Sequence, residues 1–190
     1  MTPRLIDMKK ISVLIFINLL GVVAFSQELY ITRNGQISFF SKTPLENIEG
    51  KNNEVTSMLD TGKGDIVFAV LIKSFHFEKA LMEEHFNENY MESGKYPKAT
   101  FQGKIKNLST IDFARDGTYE ATVEGDLTIH NVKHRQTAIG TITVAKGKLL
   151  AVSSFKVLVT DYDIEIPSIV SNKITPIIEI RINCQYEPKL

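Results

Sequence analysis

The stretch "TYEATVEGDLTIH", Thr118 to His130, alternates along its whole length. Tyr119, Ala121, Val123, Leu127 and Ile129 fall on one parity, and Thr118, Glu120, Thr122, Glu124, Asp126 and Thr128 on the other. A strand turns successive side chains to opposite faces, so this segment reads as a β-strand with one apolar and one wet face. At ~3.4 Å per residue its thirteen residues span about 44 Å, or roughly 34 Å along the axis of a barrel whose strands tilt by ~40°.

The same pattern recurs on both sides. Toward the C-terminus Ile178, Ile180, Ile182, Cys184 and Tyr186 oppose Glu179, Arg181, Asn183 and Gln185; toward the N-terminus Phe101, Gly103 and Ile105 oppose Thr100, Gln102, Lys104 and Lys106. "GQISFFSK", "EVTSMLD", "GDIVFAVLI", "QTAIGTITVA" and "LLAVSSFKVLVT" add further runs, separated by "RNG", "TGKG", "RDG" and "AKG". These punctuators are hairpin signals, with Asn34-Gly35 and Asp116-Gly117 the strongest. About eight strands and one helical segment predict an antiparallel all-β domain. Periodicity serves a sandwich as well as a barrel, whereas strand length favours the barrel.

Only "FHFEKALMEEHFNEN", from Phe75, breaks the period of two. Phe77, Leu81 and His85 recur at i+4, as do Met82 and Phe86, which predicts an amphipathic helix of ten to twelve residues. Gly94 and Pro97 end it. The helix either caps the core or lines a ligand mouth, where Met adapts to an irregular apolar guest.

The start of the chain, "MKKISVLIFINLLGVVAFSQ", sets Lys9 and Lys10 before an apolar run to Phe25 and a small residue at Ser26. This predicts a secretory signal peptide over residues 1–26, with the mature domain at 27–190 and a periplasmic or secreted location. Met8 is the more natural start. The run falls short of the ~20 residues that span a bilayer, so no membrane span is expected after cleavage.

Lys and Arg number 22 against 22 Asp and Glu, scattered along the chain, which argues against a nucleic-acid partner. The single cysteine, Cys184, cannot form an internal disulfide and reads as a small apolar wall residue. His130 and His134 flank a turn around Asn131 as exposed residues, without the helix that would make an i, i+4 pair a zinc site. Asp161, Asp163 and Glu165 share one side of an expected strand and are too few for Ca²⁺. With no GxSxG context, no phosphate loop and no nucleophile–base pair, the chain reads as a non-enzyme. Arg33, Arg135 and Lys156 are the available cations for a head group.

Three ordered stretches resemble the YceI-like family: "FHFEKALMEEHFNENYMESGKYPKATFQGKI", "YEATVEGDLTIHNVKH" and "FKVLVTDYDIEIPSIVSNKI". Asn131 and Asp163 stand where the family commonly has glycine. The resemblance, from about Leu29 to Tyr186, implies an extended, lipocalin-like eight-stranded barrel whose apolar lumen holds a polyisoprenoid or similar amphiphilic lipid. The expected partners are accordingly a hydrophobic small molecule or lipid and, as a candidate, a second copy of the chain. No metal and no cofactor other than bound isoprenoid is expected.

The residues expected to line the lumen or mouth are Phe101 and Ile105, then Tyr119, Val123 and Leu127, then Ile178, Ile180 and Ile182. Phe68 and Phe155 join them from other strands, and Phe77, Leu81, Met82 and Phe86 from the helix. Core packing accounts for each equally well. A filled barrel with a structural or stress-response role would show the same alternation.

Overall fold

The computed structural model describes residues 29–189. The expected signal segment lies outside them. Eight antiparallel strands close into one barrel in sequence order: β1 (Leu29–Lys42), β2 (Asn47–Asp60), β3 (Asp65–Leu71), β4 (Lys98–Ile105), β5 (Gly117–Ile129), β6 (Val132–Ala145), β7 (Lys148–Leu158) and β8 (Ile177–Pro188). β8 returns to β1, with Ile37 opposite Ile182 and Phe39 opposite Ile180. No helix among the described residues is long and apolar enough to cross a membrane.

The connections sort to the two ends. Both ends of the described chain, the 61–64 and 146–147 turns and the 106–116 loop gather at one end. The 43–46 turn, the helical 72–97 segment, the 130–131 turn and the 159–176 segment gather at the other.

The first end is filled. Tyr30, Val55, Leu59, Ile105, Ile142, Val144, Leu149, Cys184 and Tyr186 pack there as one buried cluster. Tyr186 is 0 % exposed, and its hydroxyl lies 2.7 Å from Ser57 Oγ. The Ser57 hydroxyl itself donates to the Val67 carbonyl at 2.7 Å, so the tyrosine is the donor to Ser57 and the buried polar pair is satisfied. Cys184 is fully buried beside it, and desolvation pushes its thiol up to about 11.

Both of the strongest hairpin signals fail. Asn34-Gly35 lies inside β1, where the register slips between Thr32 and Ile37. Tyr30 and Thr32 are buried on even numbers, Ile37 and Ser41 on odd ones. The extra residue is thus a β-bulge, and it keeps the apolar side inward. A Cβ on Gly35 would come within 2.6 Å of Cys184 Sγ, so the bulge needs glycine for close approach rather than for a turn. Asp116-Gly117 ends an eleven-residue loop, 106–116, instead of a tight turn. That loop is organised by Asn107, which donates to the Glu120 carbonyl (3.0 Å) and accepts from the Thr122 amide (2.8 Å). The tight turns are His130-Asn131 and Lys146-Gly147, each with two consecutive positive φ values, 51° and 65°, and 51° and 73°. Two-residue loops of this kind match the right-handed twist of the strands they join.

Candidate functional site

The second end is hollow. A cavity of about 550 Å³ runs from the barrel's midpoint to the helical segment. Its wall comes from inward parities: Ile37 and Phe39 of β1, Phe68 and Val70 of β3, Val123 and Leu127 of β5, Phe155 and Val157 of β7, and Ile178, Ile180 and Ile182 of β8.

The helix expected near residue 80 is present in two parts. α1 (Ala80–His85) continues into a wider π-helical turn, Phe86–Tyr90. Phe75 and Phe77 lie ahead of it in extended chain, tied to β2 by paired backbone hydrogen bonds between Lys51 and His76 (2.9 and 2.8 Å). Four rings then converge on one spot. Phe86 stacks on Phe39 at 5.2 Å and meets Phe77 at 5.0 Å and Phe75 at 5.6 Å. This cluster holds the helix against the wall beside the opening. Leu81 lines the cavity yet is 60 % exposed, an apolar side chain at the mouth.

Twelve of the fourteen expected residues line the cavity: Phe68, Phe77, Leu81, Met82, Phe86, Phe101, Val123, Leu127, Phe155, Ile178, Ile180 and Ile182. Ile105 and Tyr119 do not. They share the inward parity but sit at the filled end, where Ile105 is buried in the core and the Tyr119 hydroxyl donates to the Arg115 carbonyl at 3.0 Å. Parity gives the face of a strand, not the depth along the barrel.

Sequence reading missed Phe39, hidden in the "FF" pair whose second member, Phe40, faces out under the Arg181 guanidinium at 4.2 Å. It also missed Tyr162 and Ile164. The segment read there as strand is a 3₁₀ turn, Val159–Tyr162, ending on Asp163 with φ of 54°. Tyr162 and Ile164 tuck into the cavity wall while Asp161, Asp163 and Glu165 stay exposed. The common-glycine position is thus a left-handed one, which Asp tolerates better than most residues.

Charged groups border the cavity at its rim. Glu46, Lys79, His85 and Lys173 all border the cavity, and Lys79 Nζ reaches Glu46 Oε1 at 3.2 Å, joining the helical segment to the β1–β2 turn. The cations that the sequence merely made available for a head group are elsewhere. Arg135 is bound on the outer wall by Glu124 (3.3 Å) and Asp126 (3.2 Å), and neither Arg33 nor Lys156 borders the cavity. The histidines separate as well. His130 is not an exposed turn residue: it contacts Glu92 Oε2 at 2.9 Å, the Tyr162 carbonyl at 3.1 Å and the Tyr96 ring at 4.3 Å. His134 is exposed. Among the described residues no three potential metal-ligating side chains converge.

The family model of the YceI-like domain matches residues 31–186. The chain belongs to the YceI-like family. A comparison with curated protein sequences returned no match. Among solved structures, the chain is similar to a polyisoprenoid binding domain from Saccharophagus degradans implicated in plant cell wall breakdown, at 13 % identity and a TM-score of 0.74, covering 86 % of this chain and 99 % of that one. It is also similar to BcnA of Burkholderia cenocepacia (15 %, TM-score 0.66, 80 % and 95 % covered). A third is the YCEI protein of Campylobacter jejuni (19 %, 0.60, 74 % and 84 %). At such identities these likenesses establish a shared YceI-like fold.

Proposed function

We propose that this YceI-like protein is an exported carrier, periplasmic or secreted, that holds a polyisoprenoid or similar amphiphilic lipid, such as an isoprenoid quinone or polyprenyl lipid, in the hollow end of the barrel. The observation that carries this reading is the predominantly apolar 550 Å³ cavity with its charged groups gathered at the rim. A long hydrocarbon with one polar head matches that division: the wall replaces membrane around the tail, and the head rests near Lys79, Glu46, His85 and Lys173. The polyisoprenoid-binding neighbour of the same fold supports the class of ligand. Export rests on Lys9, Lys10 and the apolar run that follows them. A binding protein rather than an enzyme is the reading these features favour.

Size bounds the ligand. At the ~30 Å³ of a liquid water for each CH₂-sized group, the cavity has room for at least about 18 carbons, or three to four isoprene units. Their gross transfer energy is about 14 kcal/mol at ~0.8 kcal/mol per carbon, against an association cost of about 4–15 kcal/mol. A tail that only fills the cavity is therefore marginal to moderate in affinity.

Mass spectrometry of organic extracts from the natively exported protein tests the reading. A stoichiometric isoprenoid is the expected result. Protein that emerges clean and takes up no lipid added as detergent-solubilised quinone overturns it.

A further inference from the structure

β6 and β7 pair only from Gly140↔Ser153 to Ala145↔Lys148. Beyond Gly140 each strand keeps its other neighbour, β6 with β5 to the Ile129↔Val132 pair and β7 with β8 to Leu158↔Ile177. Residues 132–139 and 154–158 consequently face each other without a ladder, and the wall forks toward the hollow end. The 3₁₀ turn closes the top of this fork, where the Tyr162 ring meets His134 at 5.2 Å.

The fork is built rather than frayed. Backbone carbonyls that lose a ladder partner must find another donor. The Ser153 hydroxyl donates to the Ile139 carbonyl at 2.9 Å, and the Gln136 amide donates to the Thr137 carbonyl at 2.8 Å. Residues two apart point their carbonyls to the same side, so both bonds satisfy the edge that β7 has left. Gly140 marks the crotch: a Cβ there would lie 2.3 Å from the Val152 carbonyl oxygen and 2.8 Å from Ser153 Cβ. The other incomplete pair, β2 and β3, is treated differently. Its gap is filled by the Asn52 side chain bonded to the Leu71 carbonyl at 3.0 Å and by the Lys51–His76 bridge.

The fork communicates with the lumen. The cavity is bordered there by Ala138, Ser153 and Phe155 on the inward parity and also by Thr141 and Val152 on the outward one. Just outside stand Ile139 and Val152, 60 % and 41 % exposed. The Gln136 amide N–H and the Ser153 hydroxyl donate to backbone carbonyls, and Ala138, Phe155, Ile139 and Val152 supply apolar edges to the opening beside Thr141.

We propose that the fork between β6 and β7 is a lateral port through which the hydrocarbon tail of a bound lipid leaves the lumen, so that ligands longer than the cavity are accepted. This rests on the carrier reading above. Polar head and apolar tail then use separate openings: the rim by the helix and the fork.

The test compares farnesol, with three isoprene units, and an eight-unit isoprenoid quinone, on the wild type and on Ala138→Phe, which narrows the fork. Calorimetric titration of this variant is expected to show a loss at least tenfold greater for the eight-unit probe than for farnesol. Val67→Phe, on the outer face of β3, serves as the control and alters neither. In parallel, p-benzoylphenylalanine at Ile139 is expected to photo-crosslink the eight-unit probe and not farnesol. That crosslink decides alone if Ala138→Phe fails to fold or the titrations disagree with it. No crosslink to the long probe, or equal crosslinks to both, overturns the port while leaving the carrier reading intact. A wild-type protein that binds neither probe overturns both.

Discussion

The two ends of this barrel share one alternation and do opposite things with it. At the filled end inward side chains meet across the axis, from Tyr186 to Ser57, and leave no space; at the hollow end they line a space and stop. The backbone divides the same way. Of the five non-glycine residues with positive φ among the described residues, four (Glu92, His130, Asn131 and Asp163) stand at the hollow end and Lys146 at the filled one. Packing is complete at one end, and left-handed backbone gathers at the end where the cavity is held open.

The largest expected effect tests that division directly. Tyr186→Ala removes a fully buried ring and the hydrogen bond it donates to Ser57, and is expected to cost about 3–5 kcal/mol. Phe155→Ala, from a wall that already faces a cavity, is expected to cost about 1–2 kcal/mol. Urea unfolding of both variants measures the difference, and equal losses would break the comparison.

A second difference follows from Cys184. Its folded thiol is raised to about 11 from an ordinary value near 9, so between those pH values the unfolded chain releases a proton that the folded one retains. Stability contributed by the neutral thiol is complete below pH 9 and falls by about 2–3 kcal/mol as the pH rises toward 11. Burial raises the Tyr186 phenol as well, which adds to the decline above pH 10. Cys184→Ala should remove the portion that begins near pH 9, as read from unfolding midpoints across an alkaline series.

At the hollow end, Phe86→Ala deletes the ring that meets Phe39, Phe75 and Phe77. Lipid affinity is expected to fall roughly tenfold, about 1.4 kcal/mol, with the filled end's alkaline profile unchanged. Titration with a quinone and the pH series together check it. The smallest effect is Asp163→Gly, which relieves a left-handed residue in the 159–176 segment and is expected to stabilise by up to about 1 kcal/mol in thermal unfolding. A loss instead would show that the Asp163 side chain has a role beyond its backbone.

Legibility followed the physics of each signal. The parity of Ile178, Ile180, Ile182, Cys184 and Tyr186 is local, and every one of them faces the interior. The helical stripe of Leu81, Met82 and Phe86 was readable for the same reason, whereas Phe77, read as part of it, lies in extended chain ahead of the helix. Asn34-Gly35 misled because the dipeptide suits a turn and a bulge equally, and only pairing with β2 and β8 on both sides chooses between them. Asp161 to Glu165 misled because a tucked 3₁₀ turn followed by extended chain buries alternate residues just as a strand does.

The sequence by itself determined that this chain is an antiparallel all-β domain of about eight strands with one helical interruption, since alternation and length are properties of neighbours in the chain; closure into a barrel needed β8 to find β1. Only the tertiary structure decided where that barrel is full and where it is hollow. Ile105 and Tyr119 have the parity of Val123 and Leu127 but lie at a different height. The fork at Gly140 exists because β6 and β7 are each held more completely by their other neighbour. Depth and strand separation are set by contacts between residues far apart in sequence, and no local period records them.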